Sequence, residues 1–203
     1  MQLPSGHTVT IKAVAVNRFN KVSKMMEVSF KIEAKPYPLN AWTLDETIGG
    51  MELNKFTMID FQTKYGEGTK SETIENPDFE TECRKISYPW GYAVMTMARR
   101  SWVLVELYFH DGNVFKAPRG TGIGDSMDFV VGKFKDLGQI ESASGNRGLY
   151  FIEKNGSDGK IWLQEDGSRI VRYRIKIESH YYQLEYYVNK NGTVYGVDYR
   201  YIP

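Results

Sequence analysis

The 203-residue chain has a single cysteine, Cys83, which excludes an internal disulfide and a thiolate metal cage. No apolar stretch approaches the roughly 20 residues that a membrane-spanning helix needs. Neither sign of charge is in excess, with 26 Lys and Arg against 25 Asp and Glu and no long run of either. Duplex nucleic acid and anionic membrane are therefore not expected as partners. His7, His110 and His180 are too widely spaced to hold a metal on one element. Low-complexity segments are absent. No secretory signal opens the chain at Met1-Gln2-Leu3-Pro4. As written it reads as cytoplasmic, and as periplasmic or secreted if a signal has been removed.

What is present is a packed-core composition, 41% hydrophobic and 14% aromatic, with 14 tyrosines. The clearest local signal runs from Ile123 to Gly138. A glycine turn leads to Asp125 and Ser126, either of which can cap a helix, and Gly138 can end one. Met127, Val130, Val131 and Phe134 share one side at helical spacing. A looser copy lies upstream, where Thr57 and Asp60 make a helix-start box and Gly66 a stop. Gly50 to Gly124 and Gly66 to Gly138 are offset by 74 and 72 positions, and Val105 to Phe115 aligns with Leu184 to Tyr195 at 79 to 80. That spacing suits a duplicated unit.

Alternating patterns predict strands near residues 8–16 and 27–34, which form an N-terminal hairpin across 17–24. Further strands are expected at 85–88, 92–97, 102–109, 148–153, 160–164, 170–177, 181–188 and 193–201. Lys35-Pro36-Tyr37-Pro38 marks the entry to the first unit, residues 67–82 read as a loop, and residues 155–159 as a turn. The expected fold class is α+β: two tandem repeats, each a short helical segment followed by an antiparallel β-sheet. The domains are 1–40 (N-terminal hairpin), 41–120 and 121–203.

Gly124-Asp125-Ser126, Leu137-Gly138 and the strand–turn–strand pattern from Glu185 to Tyr195 resemble the β-lactamase-inhibitor-protein-like fold and the related SmpA/OmlA envelope lipoproteins. In the first unit Tyr65-Gly66 stands where those families have Leu-Gly, and the two disulfides of the inhibitor relatives cannot form here. The resemblance implies a bacterial binding module whose sheet meets a protein partner.

Catalytic patterns are weak. Arg119 to Gly124 is glycine-rich before a helix, but Asp125 would repel a phosphate and no lysine follows in place, so a hinge is the better reading. Nothing in the sequence sets Cys83 beside His110 or His180 as a thiol–base pair. Asp125 and Asp128 are helix-start charges, and the loop around Asp158 has too few ligands for calcium. No cofactor, metal or enzymatic activity is expected.

The aromatic placement carries more. Period two assigns Val103, Val105, Leu107 and Phe109 to the core face of one strand, and Leu184, Tyr186 and Val188 to that of its aligned counterpart. The other face then offers Trp102 with Tyr181 and Tyr108 with Tyr187 as matched columns, extended by Trp162, Arg172 and Arg174. Tyr, Trp and Arg are the residue types that concentrate interface energy. The expected function is a non-catalytic protein-binding module of inhibitor, immunity or assembly-factor type, with another protein as partner. The alternative is a structural or scaffold subunit of the bacterial envelope.

Overall fold

The computed structural model describes residues 8–16, 22–31, 40–98, 100–138, 142–152 and 156–203. Backbone contacts divide the chain into two units, Met1–Pro38 and Leu39–Pro203. The first contains β1 (Thr8–Ala13) and β2 (Met26–Lys31), an antiparallel hairpin with Thr8 opposite Lys31. The expected turn over 17–24 and the Lys35–Pro38 entry lie partly or wholly outside the described residues.

In the second unit two short helices start where the sequence places them. Thr57 caps α1 (Met58–Tyr65), its hydroxyl accepting from the Asp60 amide at 3.2 Å, and Gly66 ends it at a positive φ of 83°, which glycine adopts without strain. Ser126 caps α2 (Met127–Lys133), accepting from the Phe129 amide at 3.2 Å. That helix stops at Phe134, four residues before Gly138. Asp125 accepts a hydrogen bond from the Gly122 amide at 2.8 Å, so this amide of the glycine-rich approach is already taken.

The strands overturn the expected α+β class. β3 (Lys70–Ile74), β4 (Cys83–Tyr88), β5 (Gly91–Ala98), β6 (Ser101–Phe109), β7 (Arg147–Ile152), β8 (Ser157–Leu163), β9 (Arg169–Ile177), β10 (His180–Val188) and β11 (Val194–Ile202) form one nine-stranded antiparallel sheet. Its order is β3-β4-β5-β6-β11-β10-β9-β8-β7. The protein is therefore all-β in character, with helices of 8 and 7 residues, rather than tandem helix–sheet repeats. The physical reason is the joint between β6 and β11, where Phe109 pairs with Val197 and Glu106 with Arg200. Two edges that separate repeats would leave open satisfy each other's hydrogen bonds. The internal alignment also fails past its turn: residues 194–202 continue as β11, whereas 110–117 form no strand.

The core lies on one face. A single row of cross-strand partners, Ile86, Ala93, Leu107, Tyr199, Leu184 and Tyr173, crosses six strands and is buried throughout. Helices cover this face: Phe61 of α1 packs on Tyr88 and Trp90, and Phe134 beside α2 stacks on Tyr173 at 4.2 Å. Trp42 closes the middle against Tyr199 at 6.0 Å, and Tyr186 shares a 2.7 Å hydrogen bond with Thr121. At the next position of the row Gly159 is bare, because a Cβ there would lie 2.6 Å from the Tyr150 ring.

Candidate functional site

The opposite sheet face carries no helix, and period two dictates what it shows. One row across the strands reads Tyr92, Tyr108, Asp198, Glu185, Arg172 and Lys160. The adjacent row reads Val94, Glu106, Arg200, Gln183, Arg174 and Asp158. Tyr187, Trp162 and Tyr181 lie on the same face by strand parity, Tyr187 opposite Ile170, Trp162 opposite Ile170 from the other side, and Tyr181 opposite Lys176.

Six of the seven residues expected from sequence thus share one face: Tyr108, Trp162, Arg172, Arg174, Tyr181 and Tyr187. Trp102 does not join them. β6 carries an extra residue at Val105, because Val94 faces Glu106 while Met95 faces Leu104. Such a bulge reverses the parity of everything beyond it. Trp102 therefore pairs with Met97 on the helix-covered side, where the Arg84 guanidinium lies 4.7 Å from its ring centre. Leu104, assigned to the open face by simple alternation, is fully buried beside Met95 for the same reason. The matched column of Trp102 with Tyr181 does not exist.

The aromatic residues of the open face are half-buried and held in place. Tyr108 stacks on Tyr92 at 5.2 Å and meets Tyr187 edge-on at 6.1 Å. Arg172 lies 3.9 Å from the ring centre of Trp162, and Arg174 4.7 Å from that of Tyr181. Each pair fixes a large flat side chain with a cation or a second ring.

Between them runs a charge network that sequence reasoning missed. Asp158, expected in a turn, is the second residue of β8 and 1% exposed. Its carboxylate faces Arg174 at 3.0 Å, Lys160 at 2.8 Å and Arg172 at 4.0 Å. Asp198, also 1% exposed, pairs with Arg200, which reaches Glu106 at 3.9 Å. Tyr92 donates to Glu106 at 2.8 Å and Tyr187 to Glu185 at 3.1 Å. Burial, reinforced by Glu106 and Glu185 and opposed by Arg200, pushes the Asp198 carboxyl up to about 7. Burial and then the neighbouring acids raise the Tyr92 and Tyr187 hydroxyls well above the ordinary phenol range. Burial and the adjacent Arg174 lower Arg172, although Asp158 and Glu185 act the other way. The sequence signal for these acids was present in the alternation of β10 and β11, where Gln183, Glu185, Asp198 and Arg200 sit at strand positions rather than in turns.

The remaining candidates are apart from this face or inert. Cys83 opens β4, is fully buried, and has its thiol raised by that burial. His110 and Asp111 line a separate cleft of about 470 Å³ with Lys116 and Ile123. Among the described residues no group of three or more His, Cys, Asp or Glu could hold a metal ion, and no helix is long and apolar enough to cross a membrane. No family model, curated protein or solved structure matches the chain.

Proposed function

We propose that the protein is a non-catalytic binding module, of inhibitor, immunity or assembly-factor type, which takes another protein on the helix-free face of its sheet. The observation that carries this reading is the convergence of Tyr108, Trp162, Arg172, Arg174, Tyr181 and Tyr187 on one face built on rigid strands. Ring–ring and cation–ring contacts already hold these side chains. A partner therefore does not have to freeze them, and the entropic cost of association is correspondingly lower. Their residue types are those that dominate interface energies.

The test is affinity capture from a lysate of the source organism with two baits, the full chain and its Trp162→Ala variant, after matched melting temperatures are verified. One stoichiometric protein retained by the first and released by the second supports the reading. A protein retained equally by both, or none retained by either, counts against it.

A further inference from the structure

The open face is not electrically uniform. On its β8–β10 side stand Lys160, Arg172, Arg174 and Lys176. The acids among them, Asp158 and Glu185, are 1% and 9% exposed, whereas the side chains of Lys160, Arg172 and Arg174 are 44%, 18% and 28% exposed. The anions are thus at the floor and the cations at the surface. Asp158 is matched by Arg174 and Lys160 at short range, and Glu185 accepts from Tyr187. Arg172 is left with the longest of these ion pairs, at 4.0 Å; its Nε is buried without a hydrogen-bond partner among the described residues, so an incoming group meets the terminal nitrogens of its guanidinium. Its guanidinium nevertheless has a fixed position over Trp162. A planar, immobilised guanidinium with unused donors matches a carboxylate in a paired, two-bond geometry. Lys176, 5.5 Å from the Tyr181 ring centre, extends the positive strip along β9.

Resting on the binding-module reading, we infer that the β8–β10 half of the open face is the docking site for an acidic segment of the protein partner, with an Asp or Glu carboxylate on Arg172 and neighbouring acids toward Lys176. The aromatic rings beneath supply apolar contact for the segment's side-chain stems. The opposite half, with Glu106 and Asp198 beside Tyr92 and Tyr108, fixes the direction in which a segment of uneven charge lies.

A random-sequence peptide display library selected against the full chain tests this. The expected result is enrichment of peptides rich in Asp and Glu over Lys and Arg, with affinity falling about tenfold on Arg172→Gln and on Lys176→Gln, and steeply with added salt. Asp158 keeps Arg174 and Lys160 in the first variant, and Lys176 makes no ion pair among the described residues, so both are expected to fold. Neutral or basic peptides, an absence of binders, or unchanged affinity in both variants overturns the inference. Inorganic phosphate competing as well as the peptide also overturns it, by assigning a free-anion site. If Trp162→Ala still releases a captured protein while selected peptides show no acidic excess, the acidic-segment inference falls and the binding module stands.

Discussion

The rings of Tyr108 on β6 and Tyr187 on β10 meet edge-on at 6.1 Å across the bare backbone of Gly196 on the strand between them. A Cβ on Gly196 would sit 2.8 Å from the Tyr108 hydroxyl and 3.1 Å from its ring. The tyrosine pair therefore depends on a missing side chain. Gly196→Ala is expected to cost little, under about 1 kcal/mol, because the clash meets the free end of a side chain, which can tilt away slightly while the ring keeps its contacts with Tyr92 and Tyr187. Gly159→Ala is the control on the core face, where the clash at 2.6 Å meets the enclosed Tyr150 ring and the cost is roughly 1–3 kcal/mol. Urea denaturation distinguishes them; equal costs would mean that the two faces are equally enclosed.

Tyr108→Ala removes the ring contacts with Tyr92, Tyr187 and His110. At about 0.5–1.5 kcal/mol for each aromatic pair, the two tyrosine pairs alone make a loss of roughly 1–3 kcal/mol the expected result. The tyrosines are thus both structural and surface-forming, and binding by such a variant has to be compared at equal fraction folded.

The bulge at Val105 makes a prediction that simple alternation does not. Trp102→Ala should leave partner capture intact, since Trp102 lies on the helix side, whereas Trp162→Ala should abolish it. Loss of capture by both would restore Trp102 to the binding face and contradict the observed register.

Asp198 gives a pH dependence with a definite sign. Its folded carboxyl titrates near 7 instead of at the ordinary value of 3.8, so ionisation works against the folded state. Its contribution favours folding below the ordinary value and is lost as pH rises toward the folded one. Asp198→Asn imitates the protonated side chain, so its stability relative to the parent should be greater at about pH 8 than at about pH 5. Denaturant melts at both values check this; a relative stability that falls with pH would show that Arg200 outweighs burial.

Arg119 holds a non-glycine left-handed backbone, with φ at 61°, and its guanidinium joins three segments. It donates to both oxygens of Glu46 at 2.5 and 2.8 Å and to the carbonyls of Asn40, Ala41 and Lys133, while lying 4.4 Å from the Phe134 ring centre. Burial alone would raise Glu46, and the bond from Arg119 leads the interactions that bring it below the usual carboxylate range. Arg119→Ala is expected to cost about 3 kcal/mol by leaving this carboxylate unpaired, and Arg119→Lys to recover only part because it lacks the fork. A thermal shift near zero for the alanine variant would refute that role.

Much of this architecture was legible in the residues. The hydroxyl caps at Thr57 and Ser126 located both helix starts, and alternation located most strands of the sheet. Local pattern could not show that β6 and β11 pair, since pairing is a contact between residues some ninety positions apart. It also hid β3, whose Lys-Ser-Glu-Thr-Ile sequence is polar because an edge strand has a solvated side. The site was legible in its aromatic and arginine members. The one-residue bulge displaced Trp102, and Asp158 was missed because Gly and Asp beside an Asn-Gly pair read as a turn although the strand begins at Ser157.

The most direct measurement is lysine acetylation of the full chain in a lysate of the source organism, compared with the same chain in buffer. Lys160 and Lys176 stand on the open face, while Lys55 precedes α1 and Lys64 lies on it. Protection of Lys160 and Lys176 in the lysate is expected, with Lys55 and Lys64 unchanged. Equal reactivity of all four, or protection of Lys64 with Lys160 fully reactive, would contradict it.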